Sequence, residues 1–268
     1  MRKIYLIGEI GINHNGDLKL AKEIIDLAKN SGFNAVKFQK RDPDVSVPNY
    51  KKNEIKNSPW GNITYLEYKK KIEFGQKEYD EINKYCKKLK IEWFTSVWDV
   101  PSLKFMMKYK PKFHKVASSM ITNKELLENI AKTKIKTFVS TGMSSMTEID
   151  NAIKIFKKYK CPIIPMHSVS IYPCPLEKLN LKMISTLKSK YKCSVGYSGH
   201  EMNVTPSVQA ATLGADYIER HITTDRALWG TDQAASLGPD GIKLLRNLVD
   251  KVVLAEGDGK KKIREKVL

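Results

Sequence analysis

The sequence predicts an α/β fold, a (β/α)8 TIM barrel. Three observations carry that expectation. Short apolar runs alternate with helical patterns from end to end, and eight such runs are present. The chain has 268 residues, close to the roughly 250 typical of this barrel. No G-x-G-x-x-G turn follows the first run, which disfavours a doubly wound open sheet. No internal repeat or domain boundary is visible, so residues 1–268 read as a single barrel domain.

The first strand runs from Ile4 to Glu9. Asp17 then caps a helix with Leu20, Ala21, Ile24, Leu27 and Ala28 at helical spacing, and Gly32 stops it. Ala35 to Gln39 is the second strand, followed by a long insertion to about Glu73. A helix with Tyr79, Ile82, Cys86 and Leu89 on one face comes next. The remaining strands are Ile91 to Ser96, Phe113 to Ala117, Ile135 to Ser140, Ile163 to His167, Ser194 to Tyr197 and Tyr217 to His221. Thr122-x-x-Glu125 and Ser145-x-x-Glu148 read as capping boxes. Thr205 before Pro206 reads as an N-cap with proline at the first helical position. Pro239 opens the last helix, whose apolar residues are Leu244, Leu245, Leu248, Val249 and Val252.

Lysine and arginine number 47 against 29 acidic residues, a formal charge of +18. The lysines are spread over polar helix faces. A nucleic-acid binder concentrates its charge on one face or stripe, so no nucleic acid is expected. A denser run occurs at Lys260, Lys261, Lys262, Arg264 and Lys266. The four cysteines have no C-x-x-C spacing and form no disulfide framework, which fits a reducing cytoplasm. No signal peptide pattern and no apolar run of about 20 residues is found. A cytoplasmic protein without membrane contact is the expectation.

Function in such a barrel lies at the C-terminal ends of the strands. Here every end is polar: Glu9 with Asn13, His14 and Asn15; Lys37 and Gln39; Thr95 and Ser96; Lys115 with Ser118 and Ser119; Ser140 and Thr141; His167 and Ser168 with Ser170 and Tyr172; Ser198 and His200; Glu219, Arg220 and His221. Polar groups in apolar strands are costly unless paired, and eight such ends together suggest a shared polar ligand. His200 and His221, 21 residues apart on adjacent strand ends, suit one metal ion or two hydrogen-bonded core histidines. Lysines and serines in one mouth suit a phosphate. The alternatives are a lysine that neutralises Glu9 or Glu219, and a Schiff-base lysine at position 37 or 115.

At these residues the chain resembles the N-acylneuraminate (sialic acid) synthase family. The resemblance rests on Gly8-Glu9-Ile10-Gly11-Ile12-Asn13-His14-Asn15-Gly16-Asp17, Ala35-Val36-Lys37-Phe38-Gln39, Ser140-Thr141-Gly142-Met143, Ile171-Tyr172-Pro173, Gly196-Tyr197-Ser198-Gly199-His200, and Leu213-Gly214-Ala215 through Glu219-Arg220-His221. It implies condensation of phosphoenolpyruvate with an N-acylated aminosugar, mannosamine-like and open-chain, to a nonulosonic acid and phosphate. It further implies a divalent metal on His200 and His221, manganese first, with magnesium or cobalt as alternatives. Phosphoenolpyruvate would be held by Lys37, Ser96, Lys115, Ser118, Ser140 and Ser198. Glu9, Gln39, Ser170, Tyr172 and Asp232 would meet the sugar, with Glu9 a candidate acid/base. Other aldose or sugar-phosphate acceptors, and a Schiff-base aldolase, are the alternative readings; a homodimer is compatible with all of them.

The chain departs from the family pattern at four places. Gly199 stands where the family has Asp, Met120 where it has Glu, and Ser170 where it has Asn. The family's C-terminal antifreeze-like domain, which lends an arginine to a partner's site, has no counterpart in these 268 residues. Arg41 in the insertion after the second strand is a candidate replacement, with Tyr50 to Glu67 as a lid. The competing expectation for Arg41 is a plain surface cation.

Overall fold

The computed structural model describes residues 2–261. Lys262, Arg264 and Lys266 of the basic run lie outside them. The elements in chain order are β1 (Tyr5–Gly11), α1 (Leu18–Asn30), β2 (Ala35–Lys40), α2 (Pro43–Ser46), β3 (Ile55–Ser58), β4 (Gly61–Thr64), α3 (Tyr65–Ile72), α4 (Gln76–Leu89) and β5 (Glu92–Val97). They continue with α5 (Val100–Met106), β6 (His114–Val116), α6 (Lys124–Lys132), β7 (Thr137–Ser140), α7 (Met146–Lys158) and β8 (Ile163–Ser168). The last are α8 (Met183–Tyr191), β9 (Gly196–Gly199), α9 (Thr205–Thr212), β10 (Tyr217–His221) and α10 (Pro239–Glu256).

Eight parallel strands close into a barrel in the order β1-β10-β9-β8-β7-β6-β5-β2. This is the expected TIM barrel. Successive strand residues point to opposite faces, and that alternation sorts the chemistry. Residues facing the helices are apolar, such as Leu6, Ile10, Val36, Phe38, Val116, Val139 and Ile218 in the larger core. A smaller cluster of Ile7, Ala35, Phe94, Phe113, Phe138, Ile164 and Met166 fills the lower interior. One step further along the same inward rows stand Glu9, Lys37, Ser96, Lys115, Ser140, Ser168, Ser198 and Glu219, all buried. The interior is therefore aromatic and aliphatic below and polar above.

Several local signals hold. Asp17 accepts from the amides of Lys19 and Leu20, Gly32 follows the first helix with φ +77°, and Ser145–Glu148 forms a reciprocal capping box. Others are corrected. The Thr122 box does not form: Asn123 accepts the Leu126 amide and caps α6 instead, because the preceding turn continues through Ile121. Thr205 is the first residue of α9 rather than its cap, with its amide bonded to Asn203 Oδ1. In α10 the buried face is Ile242, Leu245 and Val249, while Leu244 is exposed.

The insertion after β2 is not an irregular lid. It carries α2, an antiparallel β3–β4 hairpin and α3. Thr64 and Glu67 cap α3 reciprocally, and Tyr68 and Ile72 pack on Ile12 beside the barrel rim. No helix among the described residues is long and apolar enough to cross a membrane.

Candidate active site

The sequence-selected residues converge on the upper mouth of the barrel. Glu9, Lys37, Gln39, Ser96, Lys115, Ser118, Ser140, Ser170, Tyr172, Ser198, His200 and His221 line one cavity of about 310 Å³. Asp232 does not line it. It sits just outside, 3.8 Å from His221 Nδ1. Strand ends that look alike in sequence divide here. Asn13 bonds the Ile222 carbonyl and Ser236, His14 stacks on Phe74 and accepts the Gly16 amide, and His167 bonds the Leu179 carbonyl. Those three hold loops rather than face the cavity.

The floor of the mouth is a buried charge cluster. Lys37 Nζ lies 2.7 Å from Glu9 Oε2 and 3.5 Å from Glu219 Oε1. Lys115 Nζ lies 2.7 and 2.9 Å from the two Glu219 oxygens. Strand register explains the pairing: Glu9 is opposite Lys37 on β1 and β2, and Glu219 on β10 reaches across the barrel. Burial alone would lower Lys37, but Glu219 and Glu9 outweigh it and hold the ammonium above the ordinary lysine range. Burial dominates at Lys115 and lowers it despite Glu219. Burial works to raise Glu219, yet Lys115 and Lys37 draw it down to about 2. Each ammonium has three donors, so the carboxylates leave donors for a ligand. Ser198 Oγ donates to Glu219 Oε1 at 3.2 Å, and Ser118 Oγ accepts the Gly142 amide.

Glu219, named from the sequence as a strand-end carboxylate that could neutralise a lysine but given no site role, lines the cavity, and so does Trp98, which was not named. Glu219 was legible as an inward position two residues before His221. Trp98 carried no sequence signal.

His200 and His221 stand with ring centroids 5.6 Å apart. His200 Nδ1 donates to the Val169 carbonyl at 2.6 Å, and Tyr172 Oη lies 2.8 Å from Nε2. That fixes the tautomer: Nδ1 holds the proton and Nε2 keeps a lone pair. Burial, with His221 beside it, pushes His200 down to about 3, so the ring is neutral. His221 Nδ1 is buried without a hydrogen-bond partner. A neutral imidazole oriented by a backbone carbonyl suits metal ligation, as at His200, and His221 adds a buried ring nitrogen without a hydrogen-bond partner, so the two residues fit a divalent ion. Among the described residues, no group of three or more His, Cys, Asp or Glu side chains is gathered to hold one.

The departure at Gly199 has a local counterpart. A Cβ there would lie 2.5 Å from Glu201 Oε2 and 2.7 Å from Tyr197 Cε1. The Glu201 carboxylate fills that space, fully buried, bonded to Tyr197 Oη at 2.7 Å and Arg220 Nη1 at 2.9 Å. Arg41 is also corrected as a surface cation. It is buried, its guanidinium bonds Gln39 Oε1, and it lies 4.3 Å from the Trp98 ring.

Comparison with known proteins agrees with this geometry. The N,N'-diacetyllegionaminic acid synthase of Campylobacter jejuni is 35% identical over 98% of this chain and 80% of its own length. The human N-acetylneuraminate-9-phosphate synthase is 35% identical over 97% of this chain and 73% of its own. The crystal structure of N-acetylneuraminic acid synthetase from Leptospira borgpetersenii, in complex with citrate, superposes with TM-score 0.90 at 34% identity, covering 98% of this chain and 88% of that one. The NeuB family model matches residues 24–261. With strand order, cavity and match all covering the same span, the chain belongs to the NeuB family, whose relatives named here are synthases.

Proposed function

We propose that the chain condenses phosphoenolpyruvate with an N-acylated aminosugar aldehyde to give a nonulosonic acid and phosphate. One observation carries this reading. Two buried lysines, bracketed by two buried carboxylates, share a cavity with Ser96, Ser118, Ser140 and Ser198 and with two histidines. Spare ammonium donors with Ser96, Ser118, Ser140 and Ser198 suit the phosphate and carboxylate of phosphoenolpyruvate. Glu9 and Gln39, joined at 3.2 Å, face the acceptor side with Ser170 and Tyr172, and Asp232 stands at its margin.

Carbon 3 of phosphoenolpyruvate bonds to the aldehyde carbon, water adds at carbon 2, and the carbon–oxygen bond to phosphate breaks. The new alkoxide takes one proton from the adding water, the other leaves with the phosphate, and Glu9 would relay the first. His200 and His221 would hold the divalent ion, manganese in the first instance. Bound there, the ion supplies Lewis-acid polarisation of the aldehyde. The Val169 carbonyl orients His200 for that task, and Tyr172 Oη, now bonded to Nε2, would yield that nitrogen to the ion.

A Schiff base needs a free amine. Lys37 is held charged between two carboxylates, and Lys115 spends two donors on Glu219. That arrangement favours the condensing reading over the aldolase. Residues 1–268 then act as one catalytic domain, cytoplasmic, in a monomer or homodimer.

The test is phosphate release from phosphoenolpyruvate with a panel of N-acylated aminosugars, with product mass measured. Acceptor-dependent release, lost in chelator and restored by manganese, is the expected result. Turnover that persists in chelator and is trapped by borohydride overturns it in favour of the aldolase.

A further inference from the structure

Glu201 and Arg220 form a charged pair on the outer side of the barrel wall, behind the two histidines. Both are fully buried. Glu201 follows His200 just beyond β9, and Arg220 precedes His221 on β10. Arg220 Nη1 lies 2.9 Å from Glu201 Oε1 and donates to Ser207 Oγ at 3.0 Å. The same guanidinium donates to the carbonyl of Glu201 and, at 2.8 Å, to that of Asn203. Tyr197 Oη donates to Glu201 Oε2 at 2.7 Å, and Ser207 Oγ donates to Oε1 at 3.1 Å.

A buried ion pair is a poor source of stability, since apolar side chains of similar volume often hold a fold as well or better. What this pair fixes is geometry. The arginine side chain leaves the backbone beside His221 and grips the backbone that follows His200. Neither residue lines the mouth cavity. Strand register explains the anchor. Arg220 stands opposite Gly199 on β9, and successive strand residues face opposite sides, so Glu219 and His221 point inward and Arg220 outward. Gly199 has no side chain to meet the guanidinium. The Glu201 carboxylate folds back into that space, 2.5 Å from where a Cβ on Gly199 would lie. The loop thus delivers the negative charge that the strand itself does not carry.

We infer that Glu201 and Arg220 are positioning residues that set the separation and orientation of His200 and His221 for the divalent ion, and that a carboxylate at position 199 can take over from Glu201. This rests on the two-histidine metal site of the condensing reading.

The experiment measures manganese binding by calorimetry and the visible absorption of the cobalt-loaded protein, which reports ligand geometry. Glu201→Gln removes the charge at constant size. Glu201→Met with Arg220→Met replaces the pair by apolar chains of similar length, and its urea midpoint should stay at the wild-type value. Gly199→Asp with Glu201→Ala returns the carboxylate from the strand and keeps the number of side-chain heavy atoms. The first two variants should bind manganese about tenfold more weakly or worse, as expected for outer partners of metal ligands, with a shifted cobalt spectrum. Phosphoenolpyruvate binding to the metal-free protein should not change. The third variant should recover both the manganese affinity and the spectrum. Wild-type manganese affinity in the folded methionine pair overturns the positioning role, and so does loss of phosphoenolpyruvate binding alongside the metal. If the methionine pair does not fold, the third variant decides: recovery supports the inference, and a persistent tenfold loss overturns it. A wild-type protein that binds no manganese overturns the two-histidine site itself.

Discussion

Glu219→Gln probes the charge cluster at the bottom of the mouth. The substitution keeps size and removes one charge. Lys37 retains Glu9 at 2.7 Å, but Lys115 loses the carboxylate that holds it at 2.7 and 2.9 Å. Both residues are at most 5% exposed at the side chain, so water cannot replace the partner. An uncompensated buried charge costs about 3–5 kcal/mol. The protein can limit that cost by deprotonating Lys115. From an unfolded pKa near 10.4, neutralising a lysine at pH 7 costs about 4–5 kcal/mol, falling to about 2 kcal/mol at pH 9. The two routes agree at pH 7, and the second has a signature. The unfolded variant then binds one more proton than the folded one, so its stability rises with pH by about 1.4 kcal/mol per unit. Urea unfolding of both proteins at pH 7, 8 and 9 reads this directly. The expected gap is about 4 kcal/mol at pH 7, narrowing to about 2 at pH 9. A gap under about 1 kcal/mol, or one independent of pH, refutes the claim that Glu219 compensates a buried ammonium.

Three further outcomes are expected. His200→Ala and His221→Ala should each weaken manganese binding and cut turnover by about a hundredfold or more, since even partners of metal ligands are worth 10–100-fold; calorimetry with manganese, and retention of the wild-type circular dichroism spectrum, separate this from misfolding. Gly199→Ala should destabilise by about 1–3 kcal/mol through overpacking against Glu201, and a melting temperature unchanged from wild type would contradict the steric argument. Ser145→Ala should cost about 1 kcal/mol by removing the cap of α7, with turnover kept at the wild-type value, as unfolding and phosphate-release measurements will show.

Much of the fold was legible because an interior buried on both faces leaves near-continuous apolar runs, and each of the eight was long enough to see. Caps were legible where the helix starts directly after the capping residue, as at Asp17 and Ser145. At Thr122 the helix starts one residue later and Asn123 caps it, and at Thr205 it starts one residue earlier, which spacing cannot reveal. The site was legible as a set of polar strand ends. Which of them face the cavity was not. His14, His167 and His200 look alike in the chain, yet tertiary contacts turn the first two to loop backbone and stacking.

The barrel and the residue types around its mouth follow from the local pattern, in which the alternation of strands and helices is written. The tertiary structure alone decided how their charges combine. Glu219 meets Lys115 from 104 residues away, Glu201 fills the space of a missing side chain at Gly199, and the fold buries Arg41 against Gln39 and Trp98. Each depends on distance and burial, which set the strength of an electrostatic interaction and are properties of the closed barrel, not of any segment of the chain.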